Sequence, residues 1–134
     1  MALQLKKQGF KEISMKANIR ENGKMEIGSK FNFSINFASA GKICTATLRQ
    51  TVEKKNEPEV FCITVEAVGV FACDECTAPE DKRRTHVEAY RWLFPYVQRK
   101  VAQLFVDAGL PPLLIEMMPM REEDVLIVGP MQGN

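Results

Sequence analysis

Residues 30–38, KFNFSINFA, put Phe31, Phe33, Ile35 and Phe37 on one side of an extended chain and Asn32, Ser34 and Asn36 on the other. A period of two is what a strand with one covered and one wet face requires. Before it, residues 10–18, FKEISMKAN, alternate Ile13, Met15 and Ala17 with Glu12, Ser14 and Lys16, and the Asn22-Gly23 pair that follows is a turn signal. After a turn around Gly41, residues 42–52, KICTATLRQTV, place Cys44, Ala46, Leu48 and Val52 on one side. A polar hairpin then leads into residues 60–71, VFCITVEAVGVF. Phe61, Ile63, Val65, Ala67 and Phe71 share one face of that fourth strand, and Val60, Cys62, Val68 and Val70 surround Thr64 and Glu66 on the other. A strand apolar on both sides needs a cover on its second face. In so short a chain another subunit is expected to supply it.

The pattern then becomes helical. Residues 77–92, TAPEDKRRTHVEAYRW, are charged and predict a first, exposed helix or a helix with a long loop. Proline suits the first turn of a helix and not its interior. Pro95 therefore places the start of the main helix near Phe94, with Val97, Val101, Leu104, Phe105 and Ala108 as its apolar stripe. Gly109 ends it, and Pro111 and Pro112 prevent its resumption. Four strands followed by helix predict an α+β fold, an antiparallel meander backed by helix, in one domain over residues 1–134 with a short tail from about residue 121.

Bulk properties exclude several functions. A chain of 134 residues and 15.2 kDa buries a core without disulfides or metal. A net charge of +1 makes no electrostatic case for nucleic acid. No apolar run approaches the roughly 20 residues that span a bilayer, and MALQLKKQGF does not read as a secretory signal. A cytoplasmic protein is expected, with Cys44, Cys62, Cys73 and Cys76 as thiols or metal ligands.

Catalytic motifs are scarce. Residues 73–76, CDEC, hold two thiols at a spacing that suits tetrahedral zinc or a redox pair. A structural zinc needs four ligands, and His86 is the single histidine, read as solvated on a charged helix face. Cys73 and Cys76 thus stand as weak metal candidates, a coincidence in a loop being the plainer reading. There is neither a phosphate loop nor a nucleophile elbow, and an enzyme is not expected. The apolar residues are more telling. In LLIEMMPM, residues 113–120, flexible methionines sit among leucines, a composition that repacks around varied apolar shapes.

The segments GFKEISMKAN, FNFSINFAS, LRQTVEKKNEPEVFCITVEAVGVF and LFPYVQRKVAQLFVDAGLPPL occur in that order between about residues 9 and 119. Together they resemble the SecB family of protein-export chaperones. The resemblance implies a four-stranded antiparallel sheet with helices, assembled as a dimer of dimers. It implies an ATP-independent holdase that keeps unfolded polypeptides, preproteins among them, in apolar grooves, with no cofactor. The groove positions it assigns are Phe31, Phe33 and Ile35 on the second strand and Tyr96 in LFPY. Phe37, Leu114, Met117 and Met118 are added here as residues whose types fit a groove rim.

Two departures separate the chain from that pattern. Family members dock the translocase motor SecA through an acidic sheet surface, and the matching positions here are Glu12, Lys16 and Thr64, one acid in three. No long C-terminal helix fits between Met120 and the Gly129-Pro130 pair. Glu12 is therefore a candidate docking residue for a SecA interaction that stays in doubt. A chaperone of one dedicated partner, such as an antitoxin, remains a second reading, and a small zinc- or thiol-dependent protein built on Cys73 and Cys76 a third.

Overall fold

The computed structural model describes residues 3–18, 26–38, 41–73 and 76–111. Four strands, β1 (Gln4–Ala17), β2 (Ile27–Ala38), β3 (Ile43–Lys54) and β4 (Phe61–Ala72), form one antiparallel sheet, and one helix, α1 (Pro79–Asp107), follows. The expected four strands and helix are all present. The expected meander holds for β2, β3 and β4 only: the sheet order is β1-β4-β3-β2, so β1 lies beside β4 and not beside β2. The composition of β4 supplies the reason. As the strand apolar on both faces it gains most from neighbours on both edges, and a simple meander would leave it at the rim. Asn22 and Gly23 lie outside the described residues, and the strands flanking them are not paired with each other.

A second correction concerns the helix. There is one continuous helix of 29 residues where two segments were expected, and Pro95 lies inside it. Pro79 takes the first-turn position expected of Pro95, and Glu80 and Asp81 complement the positive end of the helix dipole. An interior proline removes one backbone bond and frees the carbonyl four residues earlier. Here both Arg91 and Pro95 are on the exposed side of the helix, where water reaches that carbonyl, while Leu93, Phe94 and Val97 are buried. Buried side chains on both sides of the break therefore hold the helix together through it. Its far end matches expectation. Gly109 has φ of +83°, its N–H donates to Val106, and the Leu110 N–H donates to Phe105, the bonding pattern of a Schellman motif.

The core lies between α1 and the inner strands. Phe61, Ile63, Val65, Ala67 and Phe71 of β4 and Cys44, Ala46, Leu48 and Val52 of β3 are buried under Tyr90, Leu93, Val97 and Val101. On the other face of β4, Cys62, Val68 and Val70 are half-buried, and no described element lies over them. Cys73 and Cys76, expected in a loop without a structural part, are buried. The Cys73 Sγ donates to the Gly41 carbonyl at 3.1 Å, and the Cys76 N–H donates to the same carbonyl at 2.8 Å. Gly41 itself has φ of +81°, and a Cβ there would stand 2.6 Å from the Cys76 backbone. Cys73 and Cys76 are thus both held against Gly41, just before β3.

Candidate functional site

The helix is narrower than the sheet, and its packing leaves a margin on each side. Along the β2 margin, Phe31, Phe33, Ile35 and Phe37 face the helix side of the sheet and are half-buried, packed against the core at one flank only. Three helix residues at intervals of four meet them. The Lys82 Nζ lies 5.5 Å over the Phe37 ring, His86 meets Phe33 edge-on at 4.8 Å between centroids, and Tyr90 contacts Phe31 at 5.9 Å and Phe33 at 5.5 Å. Residues four apart share one helix face, which explains the stripe. The result is a furrow with an aromatic floor, a cation at one end and, among the described residues, the unpaired edge of the sheet as its open wall.

Tyr96 lies on the opposite flank. It stacks on Phe10 of β1 at 4.5 Å with the rings 6° from parallel, and the Lys100 Nζ sits 5.4 Å over Phe10. Phe10, Ala67, Leu48 and Phe33 form one row across four strands. At about 4.8 Å between strands, Phe10 and Phe33 are roughly 14 Å apart. The structure therefore brings Phe31, Phe33, Ile35 and Phe37 together and places Tyr96 in a second furrow, with Ile13 (46% exposed) and Met15 (39%) further along β1. Next to Tyr96, a cleft of about 320 Å³ is lined by Gln8, Arg91, Trp92 and Pro95 among others. Leu114, Met117 and Met118 lie outside the described residues.

Phe10, His86 and Tyr90 were missed as lining residues by sequence reasoning. His86 is not solvated but half-buried, and burial lowers its imidazole below the ordinary 6.5. The spacing of Lys82, His86 and Tyr90 was a legible signal, hidden by splitting the helix at Pro95. Two of the thiols, Cys44 and Cys76, are poorly suited to chemistry. Burial first, and then the neighbouring Cys73, push Cys44 up to about 12, and burial also raises Cys76, against the opposing hydrogen bond to Thr85. A thiol held protonated is a weak nucleophile and a weak ligand. Among the described residues no group of three or more ligand side chains is placed to hold a metal.

On the outer face of the sheet, Arg49 donates to both Glu12 and Glu66 at 2.7 Å. These bonds, Glu12 first, strengthen the guanidinium's hold on its proton. Glu12 is thus one of two acids sharing a single arginine and not a bare acid. No described helix is long and apolar enough to cross a membrane.

Comparison with known proteins agrees with this architecture. Residues 1–121 match the family described as preprotein translocase subunit SecB. A protein-export protein SecB of Zymomonas mobilis is 35% identical over 63 residues, 47% of this chain and 38% of that protein, so the match spans well under half of that relative. One of Dinoroseobacter shibae is 21% identical over 119 residues, 87% of this chain and 69% of that protein. Among solved structures, a Mycobacterium tuberculosis SecB-like chaperone in complex with an antitoxin peptide superposes with a TM-score of 0.67 at 17% identity, covering 87% of each chain. A Streptococcus agalactiae protein of unknown function superposes at 0.52 with 16% identity, over 87% of this chain and 98% of that one. The four-stranded sheet and the helix that follows it have the fold of that SecB-like chaperone. The chain belongs to the SecB family.

Proposed function

We propose that this protein holds unfolded polypeptides without nucleotide, in the cytoplasm, as a homotetramer built as a dimer of dimers, using the two furrows beside α1. The half-exposed row Phe31, Phe33, Ile35 and Phe37 carries the reading. A one-sided aromatic floor has apolar area left to bury, at roughly 25 cal/mol per Å² removed from water, and makes no demand on client sequence. Several such subsites along one chain add affinity by multivalency. Keeping preproteins competent for export is the natural use of that activity in this family, with Leu114, Met117 and Met118 extending the apolar lining.

One observation favours a narrower second reading. Arg49 pairs with both Glu12 and Glu66, so the acid at the position expected to dock SecA is already engaged in an ion pair, and service to one dedicated partner, such as an antitoxin, fits that surface as well. Calorimetric titration with a disulfide-reduced, thiol-blocked polypeptide unrelated to this chain tests both. Saturable binding is expected, weakened at least about tenfold, or ~1.4 kcal/mol, by Phe33→Asp, with the circular dichroism of the variant unchanged. Absence of binding by the folded wild-type protein would sink the general reading and leave the dedicated one.

A further inference from the structure

The two edges of the sheet are built differently. The ladder of β1 with β4 is irregular between Leu5 and Lys7 and again between Phe10 and Glu12, and β1 carries four lysines. At the other edge, β2 pairs with β3 through twelve consecutive residues, Ile27 opposite Lys54 to Ala38 opposite Ile43, without a shift. It holds one lysine, Lys30, and no proline. Among the described residues no strand pairs with the outer side of β2.

Every second residue of an edge strand points its N–H and C=O away from the sheet. Proteins usually break such rows with bulges, charges or proline, because an intact row is a template for another chain. Twelve residues at about 3.3 Å each make an intact row of roughly 40 Å. The same strand carries the half-exposed aromatic row, which is covered by α1 on one flank and open toward that edge. Main-chain pairing and apolar contact are therefore offered side by side.

We propose that an unfolded client adds to the outer edge of β2 as a fifth, extended strand, with its alternate apolar side chains continuing the Phe31 to Phe37 row. This rests on the polypeptide-holding reading and deepens it. Main-chain hydrogen bonds are the same for every sequence, which is what a holder of varied chains needs, and pockets for alternate side chains then add preference. A residue directly opposite Phe33 would place its Cβ about 4.5–5.5 Å away, close enough to cover the open flank of that ring. A second copy of this chain on the same edge would close it permanently, whereas a client leaves it reusable.

Residue-resolved hydrogen exchange on the full chain decides the matter, run beside the calorimetric titration with the same reduced, thiol-blocked polypeptide. In the free protein, the outward amides of β2 are expected to exchange fast and those of β3 slowly. At saturation, about half of the β2 amides should slow at least tenfold. If calorimetry shows binding while β2 exchange is unchanged, clients are held by side chains alone and strand addition is wrong. If β2 amides in the free protein are already as slow as those of β3, the edge is taken by a second copy and the proposal also fails. If calorimetry shows no binding at all, it is the holding function that falls, and this inference with it.

Discussion

His86 has exchanged part of its water shell for the edge of Phe33, and burial disfavours its charged form. The sign of the effect on stability follows directly. The unfolded chain, with an ordinary histidine near 6.5, takes up a proton before the folded one does, so stability present above that value is lost as the pH falls through it and levels off below the lowered folded value. No other histidine in the chain titrates in this window. Urea midpoints are expected to fall between about pH 7 and pH 5.5, and His86→Gln should flatten that slope, since carboxylates titrate lower. An unchanged slope in the variant would mean that His86 is solvated after all. At this scale the sequence was least legible. Phe31, Phe33, Ile35 and Phe37 show their shared face by spacing alone, but His86, flanked by charged neighbours, reads as wet because its partner is 53 positions away in strand β2. The CDEC segment misleads in the same way: its two thiols resemble a ligand pair, but the Cys73 thiol donates to the Gly41 carbonyl and the Cys76 thiol is bonded to Thr85.

The strands were legible as elements because each has one face that must be covered, and period-two patterns state that plainly. The helix was not, because local rules and tertiary packing disagree at Pro95. Proline inside a helix costs about 3 kcal/mol relative to alanine in an unsupported case. Leu93, Phe94 and Val97 are nonetheless buried around it, and that burial outweighs the local penalty. Pro95→Ala should therefore stabilise the protein, by about 1–3 kcal/mol in urea unfolding, as it restores an N–H to an exposed turn. A loss of stability would instead show that the proline bends α1 into the path its core residues need. The replacement of an expected meander by the order β1-β4-β3-β2 also belongs to this scale. Strand pairing between residues some 60 positions apart leaves no trace in local periodicity, though the doubly apolar β4 already required an interior place.

For the whole molecule, the open question of cover returns. Cys62, Val68 and Val70 are half-exposed on the outer sheet face, Trp92 is 45% exposed and Val106 53% exposed on α1, and no described element buries them further. Subunit contacts are the expected remedy. Sedimentation equilibrium at micromolar concentration should give about four times the 15.2 kDa chain mass, and the emission of Trp92, the chain's one tryptophan, should move to the red on dilution if assembly buries it. A species that stays at chain mass across that range would confine the furrows to one subunit. The order of the sheet has a consequence for synthesis. Gln4 finds its partner in Ala72 and Ala17 in Phe61, so β1 has nothing to pair with until β4 has been made. On the ribosome, the first strand emerges well before its neighbour and waits as an unpaired segment with Ile13 and Met15 uncovered. While it is being translated, the chain thus passes through the very state that the function proposed for it would relieve in others.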